Sequence, residues 1–219
     1  MDVNRYIEQT NLKPNLVDKD IDLLVSQAKT HEFVGICLPP FWVKRAARDL
    51  KDTDIQLVTV IGFPLGYNRT EAKLLEIEKA IEDGANELDI VMNVSAFKTG
   101  MPWTKIELAK CAQLIHEGGA MMKVILETSF LSDEEIVTAT KISSEAGTDW
   151  VKTSTGFSSA GAKEEHVRIM RKAAPSNVGV KASGGIRNLE QAQAMIDAGA
   201  DRLGVSAGTV IMQEFNEGC

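Results

Sequence analysis

Cysteine is scarce and scattered. Cys37, Cys111 and Cys219 are the three in the chain, and no C-x-x-C pair occurs. An odd, widely spaced set gives no disulfide framework and fits thiols kept reduced in a cytoplasm. Histidine is as sparse: His31, His116 and His166 stand apart, none with a second histidine at ligand spacing, so no metal is expected. Positive charge is in deficit, with 24 Lys and Arg against 31 Asp and Glu and a net charge of −7. A solvated acidic surface argues against nucleic acid or an anionic membrane as partner, yet leaves room for a local positive pocket that takes a small anion. No run approaches ~18 apolar residues, so no membrane span is expected. The opening MDVNRYIEQT has no basic region leading into an apolar run, so no signal peptide is read there. The sequons at Asn68 and Asn93 are therefore read as chance matches. No low-complexity block, proline-rich linker or long charge run marks a boundary, and 219 residues at 44% hydrophobic content suffice for one domain, 1–219, with a sizeable core. No G-x-G-x-x-G or Walker A segment is present, which weakens a nucleotide-binding open sheet.

What is present is alternation between short apolar runs and longer amphipathic segments. DKDIDLLVSQAKTHEF puts Ile21, Leu24, Val25 and Ala28 on one helical face, with Asp18 available as cap. NRTEAKLLEIEKAIEDGA carries Leu74, Ile77 and Ile81 at helical spacing, Ser132-x-x-Glu135 reads as a capping box, and Asn188-x-x-Gln191 as a related start. Between such segments lie apolar runs at 34–40, 56–64, 87–94, 121–128, 149–155, 178–185 and 202–208, with an N-terminal candidate at 6–14. EDGANELDI, SEAGTDWVK and DAGADRLGV repeat one joint: glycine at a helix end, a short polar turn, then a strand. Eight β-α units in this length read as a (β/α)8 TIM barrel of class α/β, with a doubly wound sheet as the alternative.

The strands read inside out. Side chains alternate faces along a strand, and the face that meets the helices must be apolar. Leu88 and Ile90, Met122 and Val124, Val178 and Val180, and Leu203 and Val205 supply that face. The opposite set holds Glu87 and Asp89, Lys123 and Glu127, Lys152 and Ser154, Lys181 and Ser183, and Gly204 and Ser206, which must then point into the barrel. QLVTVIGFP is ambiguous because both faces are mostly apolar. The steps Asp89–Lys123, Lys123–Lys152 and Lys152–Lys181 are 34, 29 and 29 residues, about one β-α unit each. The four groups are therefore expected at similar heights on consecutive strands ~4.8 Å apart. Burial and a like-charged neighbour both lower a lysine pKa, and a free amine attacks carbonyls. Lys152 is thus a candidate imine-forming lysine. A plain structural ion pair is the competing reading for Asp89 and Lys123.

KASGGIRNLEQ closes one strand and opens a helix. Ser183, Gly184 and Gly185 are expected to offer backbone N–H groups beside that helix N-terminus, which suits a phosphate. RLGVSAG, with Gly204 and Ser206, repeats the arrangement one unit later, where barrel enzymes commonly bind phosphate. TSTGF adds Thr155 and Gly156. Ordinary turn glycines are the alternative. Trp42, Trp103 and Trp150 show no stacking pattern and read as packing residues.

At NELDIVMNV, WVKTSTGF, VKASGGIR and RLGVSAG, with VIGFPLG and LKP in support, the chain resembles the deoxyribose-phosphate aldolases, class I aldolases of the (β/α)8 type, over nearly its whole length. The resemblance implies reversible cleavage of 2-deoxy-D-ribose 5-phosphate to glyceraldehyde 3-phosphate and acetaldehyde. It implies an imine on Lys152, with Lys181 depressing its pKa and helping proton transfer, Asp89 and a bound water shuttling protons, and Lys123 holding that relay by charge. It implies no organic cofactor or metal, a sugar phosphate as the small-molecule partner, and a homodimer. The chain departs from the family at Glu8-Gln9-Thr10, where many members read Asp-His-Thr, at Ala207 in place of a second serine, and at NEGC, where some members carry a tyrosine. Another Schiff-base barrel aldolase and a catalytically dead sugar-phosphate-binding barrel stay open as alternatives.

Overall fold

In the computed structural model, residues 2–218 are described, so Cys219 lies outside them. Eight strands run in chain order: β1 Ile7–Thr10, β2 Gly35–Cys37, β3 Gln56–Ile61, β4 Glu87–Val91, β5 Met121–Ile125, β6 Trp150–Lys152, β7 Gly179–Ser183 and β8 Arg202–Val205. Each pairs in parallel with its chain neighbour, and β8 returns to pair with β1, so the sheet closes into a barrel. That closing pair rules out the open sheet. Around it lie α1 Asp18–His31, α2 Val43–Leu50, α3 Thr70–Glu82, α4 Val94–Lys98, α5 Trp103–Glu117, α6 Asp133–Glu145, α7 Glu164–Ala173, α8 Leu189–Asp197 and α9 Gly208–Glu217. The strands are shorter than the apolar runs. β2 stops at Cys37 because Pro39 and Pro40 have no N–H to give a ladder.

The helix signals act as the sequence indicates, with two differences. Ser132 Oγ accepts from Glu135 N while Glu135 Oε2 accepts from Ser132 N at 2.8 Å, and Asn188 Oδ1 accepts from Gln191 N at 2.9 Å. Asp18 is not the cap of α1. It is the first helical residue, and the N–H of Val17 before it donates to Asp20. In α3 the buried face is rotated: Lys73 is fully buried with Ile77, while Leu74 and Ile81 are only partly covered. Lys73 is tolerated there because its ammonium donates to Glu107 at 2.6 Å and to the Val91 carbonyl at 2.9 Å.

The repeated joint has a common geometry. Gly84, Gly147 and Gly199 take φ of 103°, 98° and 105°, a left-handed conformation that β-carbons resist. The residue after each donates back across the helix end, as in Ala85 N to Ala80 O at 3.0 Å and Ala200 N to Met195 O at 3.0 Å. The polar residue that follows then caps a neighbouring strand: Asn86 accepts from Leu57 N, Asp149 from Met122 N and Asp201 from Val180 N, at 2.9, 2.7 and 2.8 Å. One short motif thus ends a helix and fixes the start of the adjoining strand.

The apolar strand faces pack outward against the helices, where Leu88, Val124, Val151, Val180 and Leu203 are fully buried. Inside the barrel, Cys37, Val58 and Val60 form one small apolar cluster, with Leu12 and Phe63 against it. This settles the parity of β3. Val58 and Val60 face inward, in register with Glu87 and Asp89. Val91 and Ile125 share the inward parity of Asp89 and Lys123 and are buried beside them, and ionisable side chains make up much of the remainder.

Candidate active site

Seven ionisable side chains fill that interior, and each comes from a strand whose alternate residues face the helices. Asp89 and Lys123 are register partners, as are Lys152 and Lys181. Asp89, Lys123 and Lys181 have no exposed surface, and Lys152 is 2% exposed. The four are not level, however. Lys123 faces Trp150 across the β5–β6 pair, and Lys152 faces Ile125, one inward position further along. The flexible lysine stems close that offset. Lys152 and Lys181 each donate to the same oxygen, Asp89 Oδ2, at 2.7 Å, while Lys123 lies 3.1 Å from Oδ1.

The sequence reading missed three members of the cluster as site residues. Glu8 of β1 accepts from Lys181 and lies 3.7 Å from both Lys123 and Arg202. Glu87 bridges Lys123 and Arg202. Arg202 stacks on the Trp150 ring with its guanidinium carbon 4.5 Å from the centroid, so Trp150 is part of the barrel floor and not only a packing residue. The signal was available for each. Glu87 shares the parity of Asp89, and Arg202 that of Gly204. Glu8 sits at the first position of the departure at Glu8-Gln9-Thr10, whose Gln9 faces outward to accept from Gly208 N at 3.0 Å.

The electrostatics of the cluster are set by its carboxylates. Burial and a like-charged neighbour lower a lysine pKa in general, yet that of Lys181 is raised. Burial works against the charged form, but Asp89 and Glu8 outweigh it. Lys123 behaves alike: burial lowers it, and Asp89, Glu8 and Glu87 raise it further. Burial would raise the Asp89 carboxyl, yet Lys123, Lys152 and Lys181 hold it well below the usual carboxylate range. Glu87 is lowered too, since Lys123 and Arg202 exceed its burial penalty. The well therefore holds three carboxylates, Glu8, Glu87 and Asp89, against four basic groups, Lys123, Lys152, Lys181 and Arg202. Glu8, Cys37 and Asp89 present ligand atoms within 4.8 Å of one another. A metal finds no place there while the Lys181 ammonium donates to both carboxylates.

A cavity of about 350 Å³ opens at the C-terminal ends of the strands, and Lys152 is the one amine of the cluster on its wall. Thr155, Gly156, Ser183, Gly184, Gly185, Gly204 and Ser206 line it as well, joined by Lys13 and Arg187, which the sequence reading did not single out. The structure thus gathers eight of the eleven expected site residues on one cavity and buries Asp89, Lys123 and Lys181 beneath it.

Two details of the expected phosphate cradle differ. The Ser183 N–H is already spent on Thr153 Oγ1 at 3.0 Å, and its hydroxyl on the Ser154 carbonyl at 2.7 Å. The start of α8 is also occupied: Leu189 N donates to Glu214 and Gln191 N to Asn188. Gly184, Gly185 and Ser206 remain as the loop groups facing the opening. Gly204 has a different task, since a β-carbon there would stand 3.0 Å from both Lys181 Cε and Ser183 Cβ. Its missing side chain makes room for Lys181. A larger concavity of about 760 Å³, between α5 and α6 on the outer surface, is lined by Phe97, Met101, Ile106 and Ile142 and lies away from the ionisable cluster.

A closed parallel barrel with amines and carboxylates packed beneath a cavity at the C-terminal strand ends defines a barrel enzyme, because active sites of this fold sit at that face. The description "DeoC/LacD family aldolase" matches residues 3–214. The deoxyribose-phosphate aldolase of Lactococcus lactis subsp. lactis is 46% identical over 213 residues, covering 97% of this chain and 96% of its own. That of Brevibacillus brevis is 49% identical over 213 residues with the same coverage. Among solved structures, "QR15, an Aldolase" superposes with a TM-score of 0.93 at 43% identity, covering 99% of this chain and 97% of its own. The Aeropyrum pernix deoxyribose phosphate aldolase, described as a unique tetramer, gives 0.92 at 33% identity, covering 99% and 92%. The chain belongs to the DeoC/LacD aldolase family and is a carbon–carbon lyase.

Proposed function

We propose that the chain reversibly cleaves 2-deoxy-D-ribose 5-phosphate to D-glyceraldehyde 3-phosphate and acetaldehyde through an imine on Lys152. One observation carries the choice of residue. Of the three lysines inside the barrel, Lys123, Lys152 and Lys181, only Lys152 reaches the cavity, where its side-chain nitrogen donates to Asp89. The Lys152 amine adds to the C1 aldehyde carbon. A proton passes to the former carbonyl oxygen, and water leaves, giving a cationic imine. The C3 hydroxyl then loses its proton, the C2–C3 bond breaks with its electron pair moving to the enamine, and glyceraldehyde 3-phosphate departs. Protonation at C2 and hydrolysis release acetaldehyde and restore the amine. The imine is the electron sink, so the sequence needs neither a metal nor an organic cofactor.

Lys181, held protonated by Glu8 and Asp89, is placed to give and recover protons beside Lys152. Asp89 stays ionised and steadies the imine cation, and a water against it serves the enamine step. Lys123 anchors Asp89 from the far oxygen. Gly184, Gly185, Ser206, Thr155 and Gly156 border the phosphate end, with Ser183 and Gly204 shaping the floor below and Arg187 and Lys13 supplying positive charge at the opening. We read 1–219 as one barrel domain in the cytoplasm. No helix among the described residues is long and apolar enough to cross a membrane, and Cys37 and Cys111 are buried free thiols. A homodimer is the assembly the resemblance supports, and mass measurement in solution separates it from a tetramer.

Comparing retro-aldol rates on 2-deoxy-D-ribose 5-phosphate and on other phosphorylated sugars tests the substrate. Faster cleavage of a different sugar phosphate would reassign it, and tight binding without cleavage of any would mark a dead barrel.

A further inference from the structure

Glu127 takes no part in the reaction just described, yet its geometry is unusual. It is 3% exposed, and it holds φ 54° and ψ 64°, a left-handed conformation rare for a residue with a β-carbon. Strain of this kind persists only where the surroundings enforce it, and it concentrates at functional sites. No lysine, arginine or histidine among the described residues pairs with the carboxylate. Its three donors all come from the segment after β6. Oε2 accepts from the Thr155 N–H at 3.2 Å and from the Thr155 hydroxyl, and Oε1 accepts from the Ser158 hydroxyl at 3.1 Å. Thr155 Oγ1 in turn accepts from Phe157 N at 3.1 Å, and Ser158 meets Ser129 at 3.0 Å. One buried carboxylate at the end of β5 thereby gathers the loop that follows Lys152.

Lys152 itself is held by other means. Its carbonyl accepts from Leu126 N at 2.9 Å, its side-chain nitrogen donates to Asp89, and the next residue, Thr153, donates its N–H to Lys181 O at 3.0 Å. The lysine and the loop are therefore anchored independently. The loop reaches the substrate cavity through Thr155 and Gly156. On its other side, Glu127, Thr155 and Phe157 border a second cavity of about 100 Å³. Without the Glu127 anchor, the Thr155–Ser158 segment can relax toward that space, away from the substrate.

We infer that Glu127 is a positioning residue: through Thr155 and Ser158 it fixes the loop that closes on the phosphorylated product half, and so it governs substrate affinity and not imine formation. This rests on the deoxyribose 5-phosphate reading given above. Glu127→Ala is expected to raise KM for 2-deoxy-D-ribose 5-phosphate about tenfold or more, the factor that one or two lost hydrogen bonds produce. Borohydride trapping of acetaldehyde on Lys152, which needs no phosphate, should proceed at the unsubstituted rate and so reports an intact barrel. Glu127→Gln, whose amide can still accept from Thr155 and donate to Ser158, should restore KM to within about threefold. Added to Thr155→Val, Glu127→Ala should cost less than it does alone, because the two substitutions share the Thr155 hydroxyl contact. An unchanged KM in Glu127→Ala, an equal loss of trapping, or full additivity with Thr155→Val would each overturn the inference. If the unsubstituted protein fails to cleave deoxyribose 5-phosphate, the substrate reading falls and takes this inference with it.

Discussion

At the scale of the residue, the account turns on how seven charges share one well. Lys181 shows why a count of like charges misleads: its neighbour Lys152 is one amine away, but Glu8 and Asp89 are closer in effect and keep it protonated. Replacing Lys181 by Leu removes the cation that shares Asp89 Oδ2 with Lys152. The pH at which half the protein is trapped by acetaldehyde and borohydride is expected to move up by about 1–3 units; no movement would show that the two lysines are uncoupled. Asp89 and Glu87 have depressed folded-state pKa values, so their contribution to stability is complete above the ordinary carboxylate range, about pH 4, and is lost as pH falls below it. Lys123 and Lys181 are raised, so theirs is complete below about pH 10.4 and lost only as pH climbs past it. Asp89→Asn should cost about 3–5 kcal/mol in urea unfolding at neutral pH, the penalty of stranding buried cations. It should also flatten the acid limb of the stability curve.

At the scale of the element, the helix-to-strand joints are the parts most legible in the chain. GAN, GTD and GAD announce a left-handed helix end, and the polar residue lands where a strand needs its N–H capped. Asp149→Ala removes the acceptor for Met122 N and a partner of His116, and is expected to cost about 1–3 kcal/mol by denaturant titration. Acetaldehyde trapping should be unaffected, since the joint lies at the opposite end of the strands from the cavity. Gly204→Ala probes the other end. Its β-carbon would press on Lys181 Cε, so both stability, by about 1–3 kcal/mol, and trapping should fall. Local signals had limits. The rotation of α3 that buries Lys73 depends on Glu107, 34 residues away in α5, and no periodicity within α3 reveals it. The occupied start of α8 likewise depends on Glu214 from α9.

At the scale of the whole molecule, closure is what converts alternating patterns into a site. Period-two parity alone placed Asp89, Lys123, Lys152 and Lys181 inside, and the closed sheet bears this out. What parity could not supply was the pairing of β1 with β8, which carries Glu8 against Lys181 across 173 residues of chain. Nor could it supply the two-residue offset between β5 and β6 that sets Lys152 above Lys123. Those registers decide which lysine meets the cavity and which stay sealed. Lys152→Ala should abolish turnover while leaving the unfolding transition in place. The most direct measurement is reduction with borohydride in the presence of acetaldehyde, followed by peptide mapping. The account predicts a single ethylated residue, Lys152; an adduct on Lys123 or Lys181, or none at all, would contradict it.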